Sequence, residues 1–519
     1  MPVTHSPGRL VEALGDRAWE PAAIIDRCRS RAAYFARRGL GGNDRVFLHH
    51  GNTLEFFIDL LAVWRLGACA VPVDGRLTPF EVTTLAQAAK PKLSVWKDSP
   101  PDGMTQALSG LGVDVVTADE AAALAGARAP SSSLSGLDDD ALILFTSGTT
   151  GEPKGVVHTH RSLGARWNSL RAALGVDAFR RTLCLLPTHF GHGLICNCLF
   201  PWLCGQDLYV LPPFRADILV GLGKVIDRHA ITFLSSVPTV WRLALKTAKP
   251  PEGGSLVRVF CGSAPLSGDL WRSVQQWTRA REVMNAYGIT EIGSWLAGTT
   301  VADATPEDGL IGEAWGGELA ILSTGDTNVS PSSADRCKPD EPGYVWIKTP
   351  ALMKGYLGRD DLTAEVVSDG WFSTRDIGSI DERGYLYLRG RAREEINKSG
   401  QKIYPGDIDS VIERFDETVD VCTFGFSDPL HGEDVGVAVV LQSYSQDAQD
   451  AQDTLDALVR LHQWTGKHLA VHQMPQRWYL VKEFPRSSSG KVNRRDVADL
   501  CATLAPVPSA KLLRERAAE

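Results

Sequence analysis

The chain has 519 residues, of which 62 are acidic and 54 basic, so its formal net charge is −8 and its pI is about 5.9. Nucleic-acid-binding domains favour a basic face, and this acidic balance argues against nucleic acid as a main partner. Hydrophobic residues make up 44% of the chain and charged residues 22%, which is typical of a globular protein long enough for more than one core.

Three features of the sequence predict a cytoplasmic protein. The N-terminal stretch MPVTHSPGRLVEALGDRAWE has no apolar segment behind a basic start, and no apolar run reaches membrane-spanning length. The 10 cysteines have no regular spacing, so we expect reduced, buried thiols.

The first two-thirds of the chain alternate short apolar runs with helical patterns. DRVFLHH, CAVPVD and KLSVW are typical of strands, and TLEFFIDLLAVWRLGA is typical of an amphipathic helix. LTPFEVTTLAQAAKP predicts a second helix, with Thr78 as its N-cap and Pro79 at its first position. Another buried strand follows at Ala141–Phe145. This alternation predicts an α/β fold with layers of helices and largely parallel sheets.

The last third of the chain changes in character. A polar stretch, Ser323–Gly343, predicts a surface loop beside a smaller β-rich region. VCTFGFSD and VGVAVVLQ predict strands of a separate small α+β domain, and SYSQDAQDAQD predicts a low-complexity loop before the next helix. No long internal repeat is evident. We place the domain boundary near Arg391–Glu394, between a large domain, residues 1–391, and a small one, residues 392–519.

The stretch LFTSGTTGEPKGVVHTH, Leu144–His160, follows an apolar strand with glycines, hydroxyl side chains and Lys154. Glycines allow close backbone approach to a ligand, and successive N–H groups with hydroxyls can bind phosphate oxygens. The spacing is not the G-x-x-x-x-G-K-[ST] of common ATPases. By itself the stretch fits either a polyphosphate site or a flexible polar loop.

Six segments, in register across nearly the whole chain, resemble the motifs of the adenylate-forming superfamily. This superfamily contains acyl- and aryl-CoA ligases, luciferase-like enzymes and the adenylation domains of peptide synthetases. The segments are LFTSGTTGEPKGVVHTH, CGSAPLSG, NAYGITEIG, GWFSTRDIG, GYLYLRGRAREEINKSGQKIYPGDID and FPRSSSGKVNRRDV. The resemblance implies a large multi-sheet α/β domain with a small mobile α+β domain, and it implies ATP, Mg²⁺ and coenzyme A as cosubstrates.

The resemblance also implies the nucleotide contacts. The β- and γ-phosphates would be held by Thr146, Ser147, Gly148, Thr149, Thr150, Gly151 and Lys154. The adenine would lie among Ser263, Ala264, Pro265, Asn285, Ala286, Tyr287 and Gly288, with Tyr287 stacked on it and the Asn285 amide paired to the purine edge.

Further roles implied by the resemblance concern the ribose and the metal. Asp376 would accept hydrogen bonds from both ribose hydroxyls, with Arg391 beside it. Thr290 would bind the α-phosphate, and Glu291 would bind Mg²⁺, a hard cation that prefers oxygen ligands. Arg375 stands where the family usually has glycine, a costly exchange at a positive φ; it either reaches a phosphate or faces solvent.

The C-terminal motifs imply a two-step reaction with domain rotation. Lys491 would bridge the substrate carboxylate and the α-phosphate during adenylation; the plain alternative is a solvated lysine. Arg393 occupies the hinge position. After rotation, Ser399 and Gly400 would help to form the tunnel for an incoming thiol, and His431 would lie near a coenzyme A adenine or simply at the surface.

PTHFGHGLICNCLF, Pro187–Phe200, resembles the substrate-pocket segment, with Phe190 as the gate beside the carboxylate. Amino-acid-activating relatives have an aspartate where Gly191 stands, and a buried ammonium without a carboxylate is costly. We therefore expect an aryl or medium-chain acid without an α-amino group. The predicted pocket residues are His189, Gly191, His192, Cys261 and Gly262.

Three alternatives remain open for this segment and for the reaction. His189, His192, Cys196 and Cys198 could instead bind a soft metal, and the apolar residues among them could be ordinary core. The acyl group could pass to a separate carrier protein or to an amine instead of coenzyme A. A regulatory nucleotide-binding protein without catalysis is disfavoured by the presence of Lys491, Glu291, Thr290 and Asp376.

Overall fold

The structure, a computed structural model, describes residues 6–118, 136–146, 153–212, 216–300, 305–332, 336–399, 401–443, 451–486 and 492–508. Within these ranges the chain forms two large sheets, a small third sheet and helices packed against them. None of the helices in these ranges combines the length and hydropathy that a membrane crossing requires.

The first sheet has seven strands. In spatial order they are Gly355–Tyr356, Lys154–Thr159, Asp140–Thr146, Cys69–Pro72, Arg45–Leu48, Leu93–Trp96 and Asp114–Thr117. The pairing is parallel from Asp140–Thr146 onward and antiparallel at the other edge. The strands predicted from DRVFLHH, CAVPVD, KLSVW and ALILF therefore lie side by side in one sheet.

The second sheet has 14 strands. In spatial order they are Glu318–Leu322, Gly343–Lys348, Trp371–Ile380, Leu386–Arg391, Leu310–Ala314, Ser294–Thr300, Glu282–Ile289, Arg258–Gly262, Phe233–Ser236, Arg181–Cys184, Asp207–Val210, Leu10–Glu12 and Ala18–Trp19, with Val367–Ser368 beside Trp371–Ile380. The expectation of largely parallel sheets is wrong for the strands from Ser294 to Arg391, which pair antiparallel. The tight connections Ile289–Ser294 and Ile380–Leu386 are too short for the crossovers that parallel pairing requires.

The third sheet is formed by the C-terminal part of the chain. Its strands are Gln401–Ile403, Ile396–Lys398, Gly432–Leu441, Arg477–Leu480 and Val507–Pro508, with Thr418–Asp428 paired to Gly432–Leu441. The chain leaves the second sheet at Arg391, makes a 3₁₀ turn at Ala392–Glu394 and enters the third sheet at Ile396. The change of sheet falls where the sequence predicts a boundary, and the division at residue 391 stays a prediction.

Helices cover the faces of these sheets and connect their strands. They are Pro21–Arg37, Leu54–Arg65, Pro79–Ala89, Met104–Ser109, His160–Leu174, Asp177–Phe179, His192–Leu199, Phe200–Leu203, Ala216–Val220, Leu222–His229, Pro238–Thr247, Gly268–Thr278, Thr290–Ile292, Asp360–Ala364, Pro405–Ile412, Ala451–His468, Val471–Gln473 and Arg494–Ala502. The predicted cap is present: Thr78 and Glu81 form a reciprocal capping box ahead of Pro79.

Charged side chains join the third sheet's domain to the large domain. Arg242 Nη2 lies 2.6 Å from Glu413 Oε1, and Arg414 pairs with Asp308. Arg486 also donates from Nη1 to Thr239 Oγ1 at 3.3 Å. These contacts place the small domain against the helix Pro238–Thr247, beside the strand ends that form the candidate site.

Candidate active site

The turn Thr290–Gly293, called here the signature turn, lies at the end of the strand Glu282–Ile289. Its first two carbonyl oxygens are held from neighbouring elements: His158 Nε2 lies 2.7 Å from the Thr290 oxygen, and the Met353 N–H donates to the Glu291 oxygen at 2.7 Å. Burial lowers the pKa of His158 to about 4, so its imidazole is neutral. Because a carbonyl only accepts, Nε2 must carry the proton.

The last two carbonyl oxygens of the signature turn are held as well. Arg166 donates to the Ile292 oxygen from Nε at 3.2 Å and from Nη2 at 3.0 Å, and the Cys196 thiol lies 3.2 Å from the Gly293 oxygen. Arg166 is fully buried and also donates to the Trp315 oxygen at 3.0 Å. Burial lowers its pKa to about 10, which still leaves it charged at neutral pH. The turn is therefore fixed before any ligand binds.

A buried carboxylate lies at the predicted ribose position. The Tyr287 hydroxyl donates to Asp376 Oδ2 at 2.5 Å, and Arg391 Nε lies 3.0 Å from Asp376 Oδ1. The carboxylate raises the pKa of Arg391, and burial together with Asp376 raises the pKa of Tyr287. Each carboxylate oxygen still has capacity for a further hydrogen bond. The group can therefore accept hydrogen bonds from ribose hydroxyls, and that role stays a prediction.

The predicted adenine-binding residues Asn285–Gly288 lie on the strand Glu282–Ile289, and Ser263–Pro265 follow the end of the adjacent parallel strand Arg258–Gly262, in which Gly262 pairs with Ala286. A Cβ on Gly262 would lie 2.2 Å from the Ala286 oxygen, and one on Gly288 would lie 1.8 Å from the Ser294 oxygen, so both positions require glycine. Ala264 is half-buried and Pro265 is exposed.

Asn285 refines one of these predictions. Its side chain is buried, and its Nδ2 donates to the Leu310 oxygen at 2.7 Å. The amide is therefore oriented by the protein, and a purine amine would have to meet Oδ1. The role of Asn285 at the purine edge stays a prediction, with Oδ1 as the acceptor.

The predicted phosphate loop connects two antiparallel strands in which Thr146 is paired with Lys154. We call these strands and the residues between them the phosphate hairpin. Thr146 Oγ1 lies 3.5 Å from the Lys154 oxygen. The other predicted contacts of the loop, Ser147, Gly148, Thr149, Thr150 and Gly151, lie outside the described residues.

Tyr356 is a site residue that the sequence reasoning missed. Its hydroxyl donates to Glu291 Oε1 at 2.8 Å, and Lys154 Nζ lies 5.3 Å from the centre of its ring. It stands between the recognised motifs, so no motif indicates it. The local sequence offers only a tyrosine close to two glycines, Gly355 and Gly358. In the structure both glycines have a positive φ.

The predicted acid pocket meets the signature turn. A Cβ on Gly191 would lie 3.4 Å from Thr290 Oγ1, so the two residues are neighbours with room for about one methyl group between them. His192 is 3% exposed, and its ring nitrogens lie 2.7 Å from Ser263 Oγ and 2.5 Å from Ser235 Oγ.

Aromatic rings and a buried thiol surround this histidine. The rings of Phe190 and Trp295 lie 5.9 and 5.5 Å from the His192 ring, centre to centre. Cys261 is fully buried, and burial raises the pKa of its thiol. His189 Nε2 lies 3.6 Å from Asp74 Oδ2, toward the first sheet.

The soft-metal alternative does not fit this geometry. His192 is bonded to two serines, and the Cys196 thiol contacts the Gly293 oxygen instead of a shared centre. Among the residues that the structure describes, the one group of three close metal-ligating side chains is Asp428, His431 and Asp434. Asp434 is already paired there with Lys398 Nζ at 2.6 Å.

The C-terminal predictions are only partly within the described chain. Lys491, Gly400 and the Arg393 side chain lie outside the described residues. Arg486 and Val492, which flank Lys491, pair antiparallel, and Arg486 contacts the large domain.

The predicted thiol-tunnel residue Ser399 is described. It has a φ of +52°, and its Oγ lies 3.0 Å from His431 Nδ1. His431 is therefore bonded to the turn at Ser399, and its placement near a coenzyme A adenine stays a prediction.

Comparison with known proteins gives the family. A family model described as AMP-binding enzyme matches residues 22–357, and one described as AMP-binding enzyme C-terminal domain matches residues 407–491. The chain belongs to this family of AMP-binding enzymes, the adenylate-forming superfamily that its motifs resemble.

Relatives along the full length agree with this assignment. The probable CoA ligase CCL9 of Humulus lupulus is 29% identical over 508 residues, covering 94% of this chain and 92% of the relative. Oxalate–CoA ligase of Arabidopsis thaliana is 29% identical, covering 92% and 91%. ATP-bound MatB from Rhodopseudomonas palustris is 26% identical, covers 96% of both chains and has a TM-score of 0.81. The predicted superfamily, fold class and enzyme class, that of AMP-forming acid–thiol ligases, are confirmed.

Arg375 has a φ of +58°, and its exposed side chain contacts Glu365, with Nη2 3.2 Å from the backbone oxygen and 3.4 Å from Oε2. We expect Arg375→Gly to raise the free energy of unfolding by about 1 kcal/mol, because glycine removes the left-handed strain. Urea unfolding measures this. Arg180→Gly, at an exposed arginine with a φ of −50°, should lower stability instead. Weaker ATP binding by Arg375→Gly would show that the arginine does reach a phosphate.

Proposed function

We propose that the protein is an ATP- and Mg²⁺-dependent acid–thiol ligase. It converts a carboxylic acid to an acyl-adenylate and then to a coenzyme A thioester, releasing pyrophosphate and AMP. The observation that carries this proposal is the proximity of the acid pocket to the residue proposed for the α-phosphate: a Cβ on Gly191 would lie 3.4 Å from Thr290 Oγ1. The two substrates of adenylation would meet at this point.

In the first half-reaction, a carboxylate oxygen attacks the α-phosphorus, and the bond to the bridging oxygen breaks as pyrophosphate leaves with the electron pair. Both reactants are anions, so catalysis depends on positioning and on positive charge. We assign Thr290 to the α-phosphate, Lys154 to the polyphosphate and Lys491 to the bridge between the reacting groups. Asp376 and Arg391 would hold the ribose; Asp376 Oδ1 lies 3.0 Å from Arg391 Nε.

The donor set at the signature turn fits Mg²⁺. Glu291 supplies carboxylate oxygens and Thr290 a hydroxyl, the oxygen ligands that this ion prefers alongside nucleotide phosphates. Bound there, the ion would screen the negative charge of the phosphates. Relatives solved with ATP and relatives named as CoA ligases support the use of ATP and coenzyme A.

In the second half-reaction, the thiol of coenzyme A attacks the acyl carbonyl, and AMP leaves. We assign Arg393 to the hinge about which the small domain turns, and Ser399 with Gly400 to the thiol tunnel. The charged contacts Arg242–Glu413 and Arg414–Asp308 would open during this turn.

The acid that the pocket fits lacks an α-amino group. Gly191 provides no carboxylate, and the polar atoms facing His192 are the hydroxyls of Ser235 and Ser263, which cannot balance a buried ammonium. With Phe190 and Trp295 beside the same ring, we propose an aryl or medium-chain acid. The ten cysteines are all free thiols, which suits the cytoplasm as the place of action.

A panel of carboxylic acids with ATP, Mg²⁺ and coenzyme A, read by mass spectrometry, tests this function. The expected products are AMP, pyrophosphate and one acyl-CoA. Parallel reactions with a pantetheinylated carrier protein or an amine distinguish the acceptors. ATP binding without pyrophosphate release for any acid would contradict the proposal.

Lys491→Ala is expected to reduce carboxylate-dependent ATP–pyrophosphate exchange by about 10²–10³-fold, because a preorganised positive charge between two anions is lost. The matched control is Lys482→Ala, at an exposed lysine nearby in the sequence. Exchange at the wild-type rate in Lys491→Ala would contradict the assignment.

Arg393→Pro is expected to spare adenylation and slow the thiol transfer, because proline fixes the backbone φ that a hinge must change. Pyrophosphate exchange and acyl-CoA formation are measured on the same sample. Glu382→Pro, in an exposed turn of the large domain, controls for the effect of a new proline. Equal loss of both half-reactions would indicate misfolding instead of a blocked hinge.

A further inference from the structure

The ring of Tyr356 stands between a cation and a carboxylate that the proposed function uses. Its hydroxyl donates to Glu291 Oε1 at 2.8 Å, and Lys154 Nζ lies 5.3 Å from the ring centre. The side chain is 7% exposed. One aromatic residue therefore contacts both the proposed polyphosphate-binding lysine and the proposed metal-binding glutamate.

The backbone on either side of Tyr356 fixes the position of this ring. The strand Gly355–Tyr356 pairs antiparallel with Val157 and Val156 of the phosphate hairpin, three and two residues after Lys154. The Met353 N–H, three residues earlier, donates to the Glu291 oxygen at 2.7 Å. Residues 353–356 thus connect the phosphate hairpin directly to the signature turn.

Packing holds the ring in place as well. Tyr356 belongs to a buried cluster with Val156, Met353, Val366 and Phe372, so the ring has little freedom to turn away. A side chain confined by such packing can set the direction of a hydrogen bond. The backbone and the core together therefore aim the hydroxyl at Glu291.

The chemistry of the two contacts differs. The phenol donates to an ionised carboxylate, a bond stronger than one between neutral groups, and it occupies Oε1, so that Oε2 can turn to a cation. A phenol carries its proton at neutral pH, so Tyr356 can donate this hydrogen bond. On the other contact, the negative face of the ring attracts the Lys154 ammonium.

We propose that Tyr356 is a positioning residue for nucleotide activation: its hydroxyl orients Glu291 toward the Mg²⁺–ATP complex, and its ring holds Lys154 toward the polyphosphate. The ring also acts as a spacer. A lysine and a glutamate that met directly would neutralise each other, and neither would then be available for its ligand. This inference rests on the proposed function.

A pure packing role is the competing explanation, and Tyr356→Phe separates the two because phenylalanine keeps the ring and loses only the hydroxyl. We expect this variant to need about tenfold more Mg²⁺ for half-maximal carboxylate-dependent pyrophosphate release, since partners that orient a metal ligand commonly contribute that much. The KM for the acid and the thermal unfolding midpoint should match those of wild type. Tyr344→Phe, on the strand Gly343–Lys348 of the second sheet, is the matched control.

A binding measurement provides a readout independent of turnover. Isothermal titration calorimetry with a non-hydrolysable ATP analogue should show a weaker dependence of affinity on Mg²⁺ in Tyr356→Phe. Tyr356→Leu, which also removes the ring from Lys154, should weaken analogue binding further. An unchanged Mg²⁺ requirement in Tyr356→Phe, with normal analogue binding, would overturn the proposal and leave Tyr356 as a core residue.

The two proposals can fail separately. If wild type makes an acyl-CoA and Tyr356→Phe behaves like Tyr344→Phe, the proposed function stands and the role of Tyr356 is refuted. If wild type binds the Mg²⁺–analogue complex in a Tyr356-dependent way and activates no acid, the role of Tyr356 in nucleotide binding stands and the ligase function is refuted.

Discussion

The structure of the site depends on how the four carbonyl oxygens of the signature turn are held. A short turn at the end of a strand has backbone oxygens without partners in regular structure, and leaving them buried and unpaired would be costly. Here each oxygen has a partner. The neutral His158 ring, the Met353 N–H, the buried Arg166 guanidinium and the Cys196 thiol contact the four oxygens in chain order. The side chains of Thr290 and Glu291 consequently stand on a backbone that is already rigid.

This support connects parts of the chain that are distant in sequence. His158 and Arg166 come from the phosphate hairpin and the helix after it, and Met353 comes from the segment that leads to Tyr356. The phosphate hairpin also carries Lys154, and the supported turn carries Thr290 and Glu291, so the proposed phosphate and metal contacts depend on the same supports. A change in the helix His160–Leu174 would therefore reach the site without touching a ligand.

Local features of the structure could be predicted from sequence, and long-range ones could not. Thr78 caps its helix as expected, because a capping box involves residues three apart. The positive φ of Arg375 was also predictable, since it stands where related sequences have glycine. Tyr356 and Arg166 act across 65 and 126 residues of sequence, where no spacing rule applies. The motif indicates Asn285 as a purine contact, and only the structure shows that its Nδ2 already donates to the Leu310 oxygen.

The contacts between the two domains have a consequence for how the molecule can move. Within the described part of the chain, the apolar clusters of the small domain contain residues of that domain alone, and ion pairs such as Arg242–Glu413 and Arg414–Asp308 cross the boundary. When charged partners separate, water solvates both, whereas separated apolar faces would remain exposed to water at a high free energy. Opening this boundary would therefore cost less free energy than separating two apolar faces, and the strength of its ion pairs would fall as the ionic strength of the solution rises.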